Sequence, residues 1–219
     1  SGRVAVNGTV GNVSISSGAT LGGSGTVGNV TASAGSKVGP GNSPGTLGGT
    51  TMRLDGGSNF EWEVQDATEA TVNPGYDKLA LSGNLNLTFA SKTNKINLNV
   101  VSRLGSGDGT TLGNPLNFDP PTGGASSIRV FNFATVGGTL LLNSGENISD
   151  VFTINVDQFT YSDGSASNAG LWSINWDAGN HLVTLTAVPE PSTYGLGLGA
   201  LALAAAAIRR RKQKAKAQA

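Results

Sequence analysis

Hydrophobic and polar residues alternate along most of this chain. In segments 13–15 and 30–32, as in segments 60–64 and 96–100, the apolar side chains occupy every second position. This period of two is typical of β-strands that bury one face. Clusters of Gly, Asn, Ser and Asp separate the segments, and no helical period extends over ten residues before residue 194. The pattern predicts an all-β protein.

The first fifty residues contain an internal repeat. The sequence GTVGNV at residues 8–13 recurs at residues 25–30, a shift of seventeen positions, and a third, looser copy begins at Gly45. Repeats of about twenty residues with strand alternation are typical of stacked coils. We therefore predict a parallel β-helix (a solenoid) over residues 5–50, with a ladder of Asn12 on Asn29. The residues predicted to point inward are Val13, Ile15, Leu21, Val30 and Val38.

From residue 60 to residue 187 the period is lost, but the alternation continues. Further alternating segments are 85–89, 131–133, 154–156, 172–176 and 183–185. Aromatic residues concentrate here and predict a thicker core. Two arrangements remain open, irregular coils that continue the solenoid or a β-sandwich cap, and we favour continuation. The predicted domains are thus residues 1–59 and 60–187, with an exposed loop at 119–124.

The charge of the chain is distributed unevenly. It has 14 basic and 14 acidic residues, but residues 1–188 hold 8 basic and 13 acidic ones, a net charge of −5. An acidic body gives no support for nucleic-acid binding. Cysteine is absent, so neither disulfides nor thiol chemistry is available. No N-terminal signal peptide is visible, and the chain opens inside a repeat, as expected for a mature form or a C-terminal fragment of an export precursor.

Few residues are candidates for catalysis. His181 is the one histidine, and no Gly-x-Ser-x-Gly motif accompanies it, so a Ser-His-Asp arrangement is not indicated. Glu61 and Glu63 lie on one face of a predicted strand, about 6.7 Å apart along it. They are compatible with a glycosidase pair or a Ca²⁺ site, but we favour a solvated strand face. We predict no catalytic residues, no metal and no cofactor.

The C-terminal residues 188–219 form a third segment with three parts. Residues 194–208 carry no charge and span about 22 Å as a helix, which is short for a membrane core of about 30 Å. Three arginines follow, which disfavours a buried core helix and places the tail in the cytoplasm and the body outside. The three parts of the segment are a polar motif (Val188, Pro189, Glu190, Pro191, Ser192, Thr193), a membrane segment (Tyr194, Leu196, Leu198, Leu201, Leu203, Ile208) and a basic stop within the tail 209–219 (Arg209, Arg210, Arg211, Lys212).

This three-part tail resembles the PEP-CTERM sorting signal of exported bacterial proteins. The resemblance covers residues 188 to about 212. It implies export across the inner membrane, a transient anchor, and processing by an exosortase-type membrane protease near Pro189. It also implies a final location at the cell surface or in the extracellular matrix, where exopolysaccharide is a possible partner.

A second resemblance lies in the repeat. The strings GATLGGSGTVG at residues 18–28 and PGNSPGTL at residues 40–47 resemble the autotransporter-associated β-strand repeat, over roughly residues 5–63. This resemblance implies a right-handed β-helix in an exported, passenger-type protein.

These observations predict an exported structural β-solenoid protein of the surface or matrix, which is not an enzyme. The first alternative is a glycan-binding module that stacks sugars on Trp62, Trp172 or Trp176, and it requires those side chains to be exposed. The second is a β-helix enzyme that degrades polysaccharides. It requires Asp with Lys or Arg on successive coils, whereas the first fifty residues contain only Arg3 and Lys37 as charged residues.

Overall fold

The computed structural model describes residues 2–119 and 128–188, and these residues are all-β, as predicted. They form seventeen strands and two short 3-10 helices, Ile148–Asp150 and Ala169–Leu171. The strands are β1 (Gly2–Ala5), β2 (Val13–Ile15), β3 (Ala19–Gly22), β4 (Thr26–Val27), β5 (Val30–Ala32), β6 (Lys37–Val38), β7 (Thr46–Gly49), β8 (Met52–Leu54), β9 (Asn59–Val64), β10 (Lys78–Leu81), β11 (Leu85–Asn86), β12 (Ile96–Ser102), β13 (Arg129–Val136), β14 (Leu140–Leu141), β15 (Phe152–Gln158), β16 (Trp172–Asp177) and β17 (Leu182–Ala187).

The strands assemble into three sheets. The first sheet has the order β1-β3-β6-β9-β12-β15, the second β4-β7-β10-β13-β17-β16, and the third β2-β5-β8-β11-β14. All neighbouring strands are parallel except in two pairs, β13 with β17 and β17 with β16, which are antiparallel. From β3 to β14 the chain visits the first, second and third sheet in that order four times. We call each such passage a rung. This arrangement is compatible with a parallel β-helix.

The repeat sets the register of the first rungs. Val13 pairs with Val30, and Leu21 pairs with Val38, so paired residues occupy equivalent positions of successive copies. Ile15, Leu21, Val30 and Val38 are buried as predicted, whereas Val13, the first residue of the edge strand β2, is only partly buried.

Two details of the repeat differ from the prediction. The third copy is displaced, because Val27 pairs with Gly49 and not with Leu47: residues 40–45 form a longer corner between the first and second sheets. Asn12 and Asn29 do not stack amide on amide, since Asn12 Oδ1 instead accepts the backbone N–H of Asn29 at 2.8 Å. An amide contact of the predicted kind joins Asn97 Nδ2 to Asn59 Oδ1 at 3.2 Å.

The later rungs are longer, and their core contains aromatic as well as aliphatic side chains. In the first sheet Phe60 pairs with Leu98, and Leu98 in turn pairs with Ile154, so the stretch of chain between paired positions grows from rung to rung. The predicted boundary at residue 59 falls at the start of β9, which pairs with both β6 and β12. The fully buried aromatic side chains of this part are Phe60, Trp62, Phe118, Phe131, Phe133 and Phe159.

Three further expectations meet the structure in this part of the chain. Phe89 does not continue the buried face of segment 85–89: β11 ends at Asn86, a turn follows, and Phe89 lies 49% exposed under the Arg53 guanidinium. Asp119 is exposed, and the rest of the predicted loop lies outside the described residues. Within residues 2–119 and 128–188 no helix is long and apolar enough to cross a membrane, and the predicted helix 194–208 lies outside these ranges.

Candidate functional site

The sorting motif begins directly at the folded body. β17 ends at Ala187, and Val188 follows with its N–H donating to the carbonyl of Leu171 at 2.8 Å. The Val188 side chain also packs against the core. Residues 189–212, which hold the rest of the predicted motif, membrane segment and basic stop, lie outside the described residues. No spacer therefore separates the last strand from the first residue of the motif.

Charged side chains from successive strands converge on the outer face of the first sheet. Two adjacent clefts lie there, with volumes of about 50 Å³ and about 320 Å³, and both are lined by Lys37 and Glu61. The smaller cleft also includes the charged residues Arg3, Glu63 and Arg103. The larger one continues over Asn99, Asn155, Asp157 and Gln158. We call these two clefts together the charged groove.

Each carboxylate of the predicted pair, Glu61 and Glu63, forms an ion pair with a cationic side chain. Lys37 Nζ lies 2.7 Å from Glu61 Oε2. Glu63 is not on a solvated face, since its side chain is only 5% exposed, pairs with Arg103 and accepts a hydrogen bond from Ser43 Oγ. The expectation of a solvated pair is therefore wrong for Glu63. The corner 40–45 and the segment after β12 cover it, and neither is marked by strand alternation.

A second carboxylate, Asp77, lies fully buried beside Glu63. Asp77 Oδ1 accepts the N–H of Gly45 at 2.8 Å, and Oδ2 accepts the N–H of Glu63 at 3.0 Å. The indole N–H of Trp62 donates to the Asp77 carbonyl at 2.8 Å. Burial raises the pKa of Asp77 well above its usual value, and the negative charge of Glu63 adds to this rise. These contacts tie the corner 40–45 to β9, which is a structural role that the sequence pattern did not indicate.

The charged groove was detectable in part from the sequence. The register of the repeat places Arg3, Thr20 and Lys37 in one column of the first sheet, as the pairing of β1, β3 and β6 bears out. That column contributes two of the cations of the groove. Glu63 and Arg103 come together only through the longer later rungs, where the sequence has no period to follow.

The other candidate residues are separate from this groove. His181 is exposed, with Nδ1 2.8 Å from the carbonyl oxygen of Gly138 and its ring 6.0 Å from that of Trp176. Trp62 and Trp172 are buried in the aromatic core, whereas Trp176 is partly exposed. Across residues 2–119 and 128–188, no three or more His, Cys, Asp and Glu side chains are placed to hold a metal ion.

Comparison with known families identifies the C-terminal segment. Residues 187–212 match the PEP-CTERM protein-sorting motif, from the last residue of β17 into the basic stop. This match supports an exported protein that is sorted by an exosortase, which is a membrane protein. It implies passage across the inner membrane with transient anchoring there. No curated protein matches this chain.

Proposed function

We propose that this chain is a structural β-solenoid protein of the cell surface or extracellular matrix, which an exosortase processes at its C-terminal signal. One observation carries the proposal: the matched sorting motif begins at the last residue of a body built from repeating rungs. In this proposal the folded body is the part that is exported, and the C-terminal signal directs its sorting.

The solenoid assignment rests on the order in which the chain visits its sheets. Four successive passages through the same three sheets, with parallel pairing from rung to rung, suit a continuous right-handed β-helix. The likeness to autotransporter-associated β-strand repeats supports the same fold. Its more specific string, residues 40–47, contains the corner 40–45 that Asp77 and Glu63 hold in place.

A structural role without catalysis suits the charged groove. The Lys37–Glu61 and Arg103–Glu63 pairs leave neither Glu61 nor Glu63 without a cation, and Glu63 also accepts a hydrogen bond from Ser43 Oγ. We expect a variant with Glu61→Gln and His181→Ala to retain its surface location and its amount. A hydrolase or lyase activity on polysaccharide that is present in the parent and lost in this variant would contradict the non-enzymatic role. Glu63→Ala is unsuitable for this test, because it would leave the Arg103 charge unpaired in a buried site.

The Pro-Glu-Pro triplet supplies recognition in this proposal. Pro189 and Pro191 have no backbone N–H, and each restricts the preceding residue to extended conformations. We therefore expect a protease to recognise one carboxylate flanked by these two prolines. Val188, the residue before the triplet, is anchored to the body by its hydrogen bond to Leu171.

Pulse-chase in a host that carries an exosortase tests this assignment. Replacing Pro189, Glu190 and Pro191 by Ala should leave membrane insertion in place, because residues 194–212 are unchanged, and should block removal of the tail. The matched control is Lys214→Ala with Lys216→Ala, which lies beyond the matched residues and should be processed at the parental rate. If the triple variant loses its tail as fast as the parent, the triplet is only a linker and the processing assignment fails.

A further inference from the structure

A second groove lies at the end of the stack that is opposite to β1. It is formed between β16, the edge strand of the second sheet, and β14, the edge strand of the third. The 3-10 helix Ile148–Asp150 packs against β16 and contributes to its wall. The groove has a volume of about 310 Å³. Small-molecule sites have volumes of about 300–1,000 Å³.

The lining of this groove carries no charge. Its apolar residues are Leu140, Leu142, Ile148 and Ile174. Its polar residues, Asn147, Ser149 and Asn175, are all exposed or partly exposed, and Trp176 completes the wall. The composition differs from that of the charged groove, which combines three cationic and three acidic side chains.

Three acidic residues adjoin this lining in sequence, and each carboxylate has hydrogen-bond partners within the chain. Glu146, next to Asn147, accepts the N–H of Lys92 at 2.9 Å and the side-chain amide of Asn143 at 3.1 Å. Asp177, next to Trp176, accepts the N–H groups of Gly179 and Asn180 at 3.0 and 3.1 Å. Asp150 accepts the N–H of Asn147 at 2.9 Å and pairs with Lys92 at 3.5 Å. The side chains that line the groove itself are amides, a hydroxyl, an indole and aliphatic groups.

Trp176 differs from the two tryptophans of the core. The indole N–H of Trp62 donates to the carbonyl of Asp77, and that of Trp172 donates to Ser167 Oγ at 3.0 Å. The indole N–H of Trp176 makes no hydrogen bond to another residue of the described ranges 2–119 and 128–188. Buried tryptophans normally satisfy this donor within the protein, so a partly exposed ring with a spare donor suits contact with an external partner.

We propose that this groove binds a neutral saccharide. A pyranose ring has an apolar face of C–H groups, which fits the indole of Trp176, and an edge of hydroxyl groups, which both donate and accept hydrogen bonds. Asn147 and Asn175 offer an amide donor and acceptor each, and Ser149 adds a hydroxyl. The uncharged lining gives an anionic sugar no compensating cation. The proposal does not depend on processing of the tail, because all these residues precede residue 188.

Titration calorimetry on the full chain tests the proposal, in a detergent without a sugar headgroup so that the detergent does not compete. The probes are two neutral oligosaccharides, cellohexaose and laminarihexaose, and one anionic oligosaccharide, hexagalacturonate. We expect at least one neutral probe to bind and hexagalacturonate to bind more weakly. Trp176→Ala should weaken binding at least about tenfold, as for a central aromatic contact. Asn175→Ala should weaken it by a smaller factor without affecting the fold, since this exposed side chain makes only a 3.3 Å contact to Ser173 Oγ.

Phe89→Ala is the matched control, because Phe89 is an exposed aromatic residue that does not line the groove. It should bind the neutral probe as the parent does. The proposal is overturned if neither neutral probe binds, if hexagalacturonate binds as tightly, or if Trp176→Ala and Asn175→Ala both retain parental affinity. A sedimentation measurement that shows Trp176→Ala dissolving a dimer, without any sugar binding in the parent, would instead assign the groove to a second copy of the chain.

Discussion

The short early rungs and the long later rungs of this protein keep their register by different means. In residues 2–39, paired positions are separated by one copy of the repeat, as from Leu21 to Val38, and the core contains only aliphatic side chains. In residues 60–158 the separation of paired positions more than doubles, as from Phe60 to Leu98, and grows again from Leu98 to Ile154, and aromatic side chains join the aliphatic ones in the core. We call these the regular part and the expanded part.

The buried polar side chains show what this difference requires. Ser36 is the one of them that lies in the regular part, where each rung satisfies the backbone of the next. The expanded part buries Glu63, Gln65, Asp66, Asp77 and Ser102. Insertions between strands carry backbone groups that no neighbouring rung can pair, and Gln65, Asp66, Asp77 and Ser102 pair such groups. Gln65 Nε2, for example, donates to the carbonyl of Gly107 at 2.8 Å. Glu63 instead pairs with the side chains of Arg103 and Ser43. Sequence repetition sets the register of the regular part. In the expanded part, the buried side chains that pair backbone groups set it, and we call Gln65, Asp66, Asp77 and Ser102 the polar anchors.

A charge in the core of the regular part should have the largest effect. Val30 is 1% exposed, and Val30→Asp would bury a carboxylate without a partner. We expect a loss of more than about 4 kcal/mol in the free energy of unfolding, or failure to fold. Urea denaturation measures the loss. The matched control is Val10→Asp at a 42% exposed position, which should cost less than about 1 kcal/mol. Equal losses would mean that the regular part has no ordered interior.

An aromatic truncation should have the next largest effect, in the expanded part. Phe131 is fully buried and its ring centre lies 4.9 Å from that of Trp62 and 5.3 Å from that of Phe118. Phe131→Ala should cost about 3–5 kcal/mol, because it leaves a cavity between rungs. Phe89→Ala, at an exposed aromatic, should cost far less. A small loss for Phe131→Ala in thermal or urea unfolding would contradict the view that aromatic packing joins the long rungs.

Asp66 tests the polar anchors directly. Its buried carboxylate accepts hydrogen bonds from the Asn117 side chain, from the Thr68 hydroxyl and from the N–H groups of Thr68, Thr71 and Val72. Burial by itself raises the pKa of Asp66, but these hydrogen bonds outweigh it and lower the pKa well below its usual value. Asp66→Asn should cost about 2–3 kcal/mol at neutral pH, because it removes an acceptor and leaves buried N–H groups unpaired.

The pH dependence of this anchor follows from the sign of the shift. Since the folded-state pKa of Asp66 is lowered, its stabilisation is fully present above the ordinary carboxyl pKa and is lost as pH falls through the folded-state value. The stability difference between the parent and Asp66→Asn should therefore shrink below about pH 4. Asp77, whose pKa is raised, has the opposite pH dependence. Its contribution to the stability of the fold is present below the ordinary carboxyl pKa and is lost as pH rises. A parent–Asp66→Asn difference that does not change with pH would contradict the assigned hydrogen bonds.

The sequence predicted the regular part better than the expanded part for a physical reason. In a repeat, one spacing places every residue, so the burial of Ile15, Leu21, Val30 and Val38 followed from the period of the motif. The third copy was displaced because a corner can gain residues without changing which faces of the strands are buried. Alternation found the later strands but not their partners, and Asp77 had no pattern to mark it. Likewise, the exposure of Trp176 and the burial of Trp62 depend on which insertions cover each strand.

A glycine of the repeated motif gives the smallest and most specific test. Gly11 and Gly28 occupy the same position in the two copies of GTVGNV. A Cβ on Gly28 would lie 2.6 Å from Asn12 Oδ1, the atom that accepts the N–H of Asn29, whereas a Cβ on Gly11 would meet no atom within 4 Å. Gly28→Ala should thus displace the Asn12 side chain and cost about 1–2 kcal/mol.

Gly11→Ala is the control and should change stability by less than about 0.5 kcal/mol. The two substitutions have the same intrinsic effect on the chain, so a difference between them reports contact between one rung and the next. Asn12→Ala should remove only part of that difference, because the backbone atoms Asn12 N and Gly11 C would still lie 3.0 Å from the new methyl group. Unfolding curves of the four variants, including Gly28→Ala combined with Asn12→Ala, decide the matter. If Gly11→Ala and Gly28→Ala destabilise equally, the stacking of the motif does not depend on its glycine, and the register of the regular part must come from the aliphatic core alone.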